Sequence, residues 1–177
     1  MSTNQSTSQP PDGISDEHVE PVTGWQRHAS PLSILVFGGV IVLGMAGLLG
    51  HERDWRAAAN GVELRVHSPE IIRNGEFFEI RVDVESSEPI GALVIGVDAS
   101  LWEDITVNTM IPAAADEESA DGEFRFTFAP LAAGTRFAFK ADLQVNPDIL
   151  GGNEGAITVY DGEELLAATD VSITVLP

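Results

Sequence analysis

The sequence predicts an all-β fold, an antiparallel sandwich, preceded by one transmembrane helix and a disordered N-terminal tail. Three observations carry this reading. From residue 61 onward, apolar and polar residues alternate with period two, the mark of half-buried strands. Turn-forming pairs such as Asn-Gly and Asp-Gly interrupt that alternation at short intervals. Ahead of it, residues 31–50 carry no charge at all.

Residues 1–30 are rich in Ser, Thr, Pro and acids, with four acids against one base. Such a composition buries too little apolar surface to offset the entropy of ordering, so it reads as a disordered acidic tail. Residues 31–50, PLSILVFGGVIVLGMAGLLG, would span about 30 Å as a helix, the thickness of a hydrocarbon core. Pro31 suits the first turn of that helix, where its missing N–H has no partner to lose. Trp25 and Trp55 flank the run where interfacial aromatic belts sit. Gly44 and Ala46 would fit a signal-peptide cleavage site. The long acidic segment ahead of the run argues instead for an uncleaved signal anchor. Residues 51–60 form a juxtamembrane linker able to continue the helix until Asn60-Gly61 breaks it.

The sandwich is expected over residues 61–177. Val62, Leu64 and Val66 alternate with Glu63 and Arg65, and Ile80, Val82 and Val84 with Arg81 and Asp83. Leu93, Ile95 and Val97 form a third run, and Phe124, Phe126 and Phe128 a fourth. Phe137, Phe139, Ala141 and Leu143 follow, then Ile157 with Val159, and Val171, Ile173 and Val175 last. Seven or more short strands with turns between them argue for two sheets, each packing one apolar face.

Composition excludes several functions. The chain has 28 acids against 9 bases, a formal net charge of −19, which suits neither nucleic-acid phosphates nor their electrostatic steering. No nucleic-acid partner is expected. Without cysteine there are no disulfides, thiol nucleophiles, zinc-thiolate sites or iron–sulfur clusters. His67, alone at the end of the first strand run, lacks a neighbouring nucleophile turn and reads as an edge-strand histidine. Asp116, Glu117, Glu118, Asp121 and Glu123 surround a hairpin. Aligned to a calcium loop they place Phe128 where the bidentate Glu belongs, so they read as a solvated, repelling loop. Asn146, Asp148, Asn153 and Glu154 form a second oxygen-rich loop beside Gly151-Gly152. No catalytic, cofactor-binding or metal residue is assigned, and no cofactor is expected.

Two features remain. Met110, Ile111 and Pro112, and Ile149 with Leu150, are apolar residues in expected loops. They form either a partner-binding patch or plugs folded back over the sandwich ends. In the helix, Gly39, Leu43, Ala46 and Gly50 share one face, and small residues at that spacing let a second helix approach closely.

The stretch from Val62 through Pro69, with Gly75-Glu76-Phe77 and Val84, resembles the opening strands of immunoglobulin-like bacterial domains. Pro130-Leu131 and Gly134, leading into Phe137 and Phe139, resemble the approach to a late strand of such folds. There is no Cys pair, and Trp102 follows a strand instead of sitting inside one. The layout is similar to small uncharacterised bacterial single-pass membrane proteins with an immunoglobulin-like domain. That resemblance implies an immunoglobulin-like sandwich in the inner membrane that binds or supports another cell-envelope protein without catalysis. Recognition of a small ligand or carbohydrate, with calcium assisting, is the alternative. Arg53, Arg56 and Arg65 after the helix outnumber Arg27 before it and would draw the domain inward. Long domains translocate largely regardless of charge, and the resemblance implies an extracytoplasmic domain, so that placement is expected.

Overall fold

The computed structural model describes residues 24–46, 52–147 and 151–177, with side chains from Pro31 onward. The expected tail up to residue 23, and Gly50, Ile149 and Leu150, lie outside the described residues. The chain forms two compact units, one helical and one of β-strands.

The helical unit contains α1, Gly24–Met45. It starts seven residues before the expected position, so Pro31 lies inside the helix instead of in its first turn, and residues 24–30 are helical instead of tail. Leu32, Ile34, Leu35 and Phe37 are all exposed. Among the described residues, no helix is long and apolar enough to cross a membrane. The uncharged run expected to do so enters α1 only as far as Met45.

The β unit is a sandwich of two sheets. The first is five-stranded, ordered β1-β2-β4-β9-β6. Its strands are β1 (Glu52–Ala59), β2 (Val62–Pro69), β4 (Phe77–Ser86), β6 (Ile105–Ile111) and β9 (Arg136–Val145). The second is six-stranded, ordered β3-β11-β10-β5-β8-β7. It contains β3 (Ile71–Arg73), β5 (Leu93–Asp98), β7 (Asp116–Ala120), β8 (Glu123–Thr127), β10 (Asn153–Asp161) and β11 (Glu164–Leu176). Pairing is antiparallel except between β3 and β11, which run parallel, a departure from the wholly antiparallel expectation.

The alternation read from the sequence is the alternation of burial. Val62, Leu64 and Val66 of β2 and Ile80, Val82 and Val84 of β4 are buried. Opposite them lie Ile95 and Val97 of β5 and Ile157 and Val159 of β10. Phenylalanines join the sheets: Phe126 of β8 stacks on Phe139 of β9 at 6.1 Å, and Phe128 meets Phe137 at 4.8 Å. Such aromatic contacts add about 0.5–1.5 kcal/mol each beyond the area they bury.

Within the expected linker 51–60, residues 52–60 are not helical. Glu52–Ala59 is edge strand β1, registered on β2 with Trp55 opposite Val66 and Ala57 opposite Leu64. Asn60-Gly61, with φ of 50° and 74°, makes the two-residue hairpin turn between them. Trp55 therefore packs against the sandwich core instead of standing as a lone interfacial residue. The local reason is alternation: Trp55, Ala57 and Ala59 turn inward while Asp54 and Arg56 turn outward.

Candidate functional site

The two sheets end on one side in strands of different character. β6 closes the five-stranded sheet and β7 the six-stranded one, and residues 112–115 cross from one to the other. Between these two edges lies a groove of about 310 Å³. Its floor is aromatic. Trp102, in the turn after β5, is only 6% exposed and meets Phe124 at 6.2 Å and Phe126 at 5.6 Å. Ile105, Val107 and Met110 of β6 form one wall, and Glu117, Glu118 and Ser119 of β7 the other.

The groove stays open because of what β7 turns inward. Glu117 lies opposite Phe126 in the register and Ser119 opposite Phe124, positions where an ordinary edge strand would place apolar cover. Both are exposed, so the aromatic floor has no apolar roof. Trp102 also keeps its Nε1–H buried without an acceptor among the described residues. A buried donor left unpaired costs about 1–3 kcal/mol.

The acids of β7 differ from the paired acids on the outer face of the five-stranded sheet. On the outer face of the five-stranded sheet, bases and acids are interleaved and paired: Arg81 with Glu79 at 2.6 Å, Arg136 with Asp83 at 2.7 Å, and Lys140 with Glu79. Lys140 and Arg81 hold the Glu79 carboxyl below its usual range, and Asp83 pushes the Arg136 pKa up. By contrast Asp116, Glu117 and Glu118 form no ion pair among the described residues. Arg125, opposite Glu118, is committed to Glu123 at 2.9 Å and Glu163 at 3.3 Å.

Other candidates resolve into structural roles. His67 lies on β2 against β1, with Nδ1 2.7 Å from Asp54 and Nε2 3.1 Å from Glu52. The Asp54 hydrogen bond raises the His67 pKa above its ordinary value, and His67 in turn lowers that of Asp54. No nucleophile completes a triad there; the ring ties the edge strand down. Two of the three larger hollows, of about 560 and 660 Å³, are lined by charged groups already bonded to neighbours, His67 and Arg81 in one and Arg53 and Asp98 in the other. In the second oxygen-rich loop, the Asn153 amide donates to the carbonyls of Leu101 and Glu103, and Asn146 accepts from Thr106. Among the described residues, no cluster of three or more His, Asp or Glu could hold a metal ion.

Among the described residues of the expected apolar patch, Met110 and Ile111 are not brought together on one face. Met110 and Ile111 belong to β6 instead of a loop, and as neighbours on a strand they face opposite sides. Met110 is half-buried in the groove wall, while Ile111 is 55% exposed on the outer face beside Lys140. Pro112 follows, exposed, at the corner. In α1, Gly39 has open space where a side chain would stand, Leu43 is exposed, and Ala46 lies just past the helix end.

Glu123 is the residue that the sequence pattern conceals. Read with its neighbours as a solvated acid, it is instead 6% exposed on the outer face of the six-stranded sheet. It accepts from Thr158 Oγ1, from Tyr160 OH at 3.1 Å and from Arg125 Nε at 2.9 Å. The guanidinium lies 5.0 Å from the centre of the Tyr160 ring, and Glu123 pushes its pKa further up. The signal was Gly96, the one residue without a side chain in the apolar run Leu93–Asp98.

In shape, the chain is similar to the solution structure of CaCohA2 from Clostridium acetobutylicum. The two are 20% identical, covering 66% of this chain and 92% of that one, at TM-score 0.42. A crystal structure of a CaDoc0917–CaCohA2 complex matches at 20% identity, 60% and 94% coverage and TM-score 0.40. A non-cellulosomal cohesin from the hyperthermophilic archaeon Archaeoglobus fulgidus matches at 12% identity, 60% and 86% coverage and TM-score 0.40. No family model matches the chain, and no curated protein matches it.

Proposed function

We propose that this protein is a non-catalytic binding module whose partner, another cell-envelope protein, docks in the groove between β6 and β7. The observation that carries the reading is an open groove floored by Trp102, Phe126 and half-buried Phe124, walled by Ile105, Val107 and Met110, beside a polar edge strand. Apolar surface left open within a polar rim is the usual anatomy of an interface core, and aromatic side chains supply most of its energy.

Membrane anchoring is part of the same proposal. It is supported by the twenty uncharged residues of 31–50 and by the exposed apolar side chains of α1, which lipid would cover. The β unit is placed on the extracytoplasmic side of the inner membrane. Gly39 and Leu43 would then offer a close approach to a partner helix.

The test is co-purification of the full chain from its native membranes in mild detergent. Ser119→Trp fills the groove and Val107→Asp charges its wall; both residues are exposed, so neither change disturbs the core. Leu165→Asp, at another exposed apolar position, is the control. Loss of one defined protein in the two groove variants alone, with unchanged melting temperature, supports the reading. Equal recovery in all three overturns it.

A further inference from the structure

We infer that the groove takes an extended segment of the partner that alternates apolar with basic side chains and adds as a strand to β7; this rests on the groove being the docking site. Among the described residues β7 is the last strand of its sheet, so the main-chain groups along one side of Asp116–Ala120 have no ladder partner there. An edge of this kind pairs with an arriving strand, whose side chains then point alternately to the two faces of the sheet.

The two faces at β7 differ, and the difference selects the partner. On the inner face the side chains of an added strand would stand beside Glu117 and Ser119 and point into the groove floored by Phe124, Phe126 and Trp102, where apolar groups fit. On the outer face it would lie beside Asp116 and Glu118, whose carboxylates have no base among the described residues. Glu117 stands at the inner rim, also unpaired, and adds to the preference for a cation at either end of the segment. An acidic segment would meet three uncompensated carboxylates and be repelled. The buried Trp102 Nε1–H, which has no acceptor among the described residues, is the independent sign that this floor is incomplete. A partner main chain brings carbonyl oxygens to the groove, and a turn of the ring toward it would satisfy the donor.

β6 is the weaker edge for such pairing. Its ladder with β9 shifts register between Val107 and Thr109, and an irregular edge strand is poorly matched to a regular arriving one. β6 therefore serves as a wall, and β7 as the template.

The experiment uses the full chain in detergent and two acetylated seven-residue peptides, one alternating Lys and Val, the other alternating Glu and Val. Hydrogen exchange at residues 116–120 reports strand addition. The Lys/Val peptide is expected to slow exchange there by roughly tenfold or more at saturation, and the Glu/Val peptide to do nothing. Glu117→Lys with Glu118→Lys should abolish the protection. Glu88→Lys with Glu164→Lys makes the same change in net charge at exposed positions elsewhere and should preserve it. Absent protection, protection by both peptides, or equal loss in both double variants overturns the inference. If the peptide fails while Ser119→Trp still removes the native partner, only the strand chemistry falls. If Ser119→Trp also has no effect, the docking site falls with it.

Discussion

Gly96 and Glu123 occupy one space on the outer face of the six-stranded sheet. Gly96 sits in β5 between Arg125 of β8 and Thr158 of β10, its register partners on either side. The missing side chain leaves a gap that the Glu123 carboxylate fills, reaching across β5 to Thr158 and Tyr160. A Cβ at Gly96 would collide with both Glu123 and Thr158. Glycine weakens a strand interior, so its place here follows from the approach of another residue, not from a turn.

Gly96→Ala should therefore destabilise the protein by roughly 1–3 kcal/mol, as overpacking does in a filled site. Urea unfolding of single and combined variants checks the cause. In a background carrying both Glu123→Ala and Thr158→Ala the cost of Gly96→Ala should fall by more than half, because both side chains it would collide with are cut back. Additive losses would mean that the glycine is needed for its backbone alone.

Phe126 and Glu118 make a second contrast on neighbouring strands. Phe126 is 5% exposed and touches both Trp102 and Phe139, so Phe126→Ala should cost about 3–5 kcal/mol. Glu118 is exposed and has no ion pair among the described residues, so Glu118→Ala should change stability by less than about 0.5 kcal/mol. Thermal or chemical denaturation with an unchanged cooperativity parameter would check both.

The fold was legible where burial alternates regularly. β2, β4 and β9 each keep period two, and the structure buries most of the residues that pattern selects, while β5 is buried continuously from Leu93 to Val97. β1 was not legible, because Trp55, Ala57 and Ala59 are a weak apolar stripe set among charges directly after a long uncharged run. β6 was hidden by its register shift at Asn108, which spaces the inward residues Val107 and Met110 three apart instead of two. β7 was hidden because its inward positions are Glu117 and Ser119. The candidate groove is made of these two irregular strands, so the local patterns that fail there are the ones that leave it uncovered. Of the apolar patch expected from the sequence, Met110 reaches the groove and Ile111 does not, since strand geometry separates adjacent side chains.

The role of β1 gives a third expectation. A fragment of residues 52–177 should unfold cooperatively. One beginning at residue 61 loses the cover that Trp55 and Ala57 give to Val66 and Leu64. The shorter fragment should be less stable by on the order of 3 kcal/mol, measured by denaturant midpoint. Equal stability would make β1 a passive edge.

The contacts of His67 with Asp54 and Glu52 make this edge pH-dependent. The His67 pKa lies above its ordinary 6.5, so its contribution is fully present below that value and is lost as pH rises through the raised one. Asp54 lies below its ordinary 3.8, so its share is present above that value and is lost as pH falls through the lowered one. Between these limits β1 is held most tightly. Unfolding measured at pH 5.5 and pH 8.5 should show lower stability at the higher pH, and His67→Gln should remove most of that difference.

Photo-crosslinking in cells that make the protein tests the central claim most directly. A benzoylphenylalanine placed at Ser119 faces the groove, and one at Glu85 stands exposed on the outer face of the five-stranded sheet. Irradiation should join the chain to one defined protein from Ser119 and to none from Glu85. No adduct from Ser119, or the same adduct from both positions, would contradict the groove as the docking site.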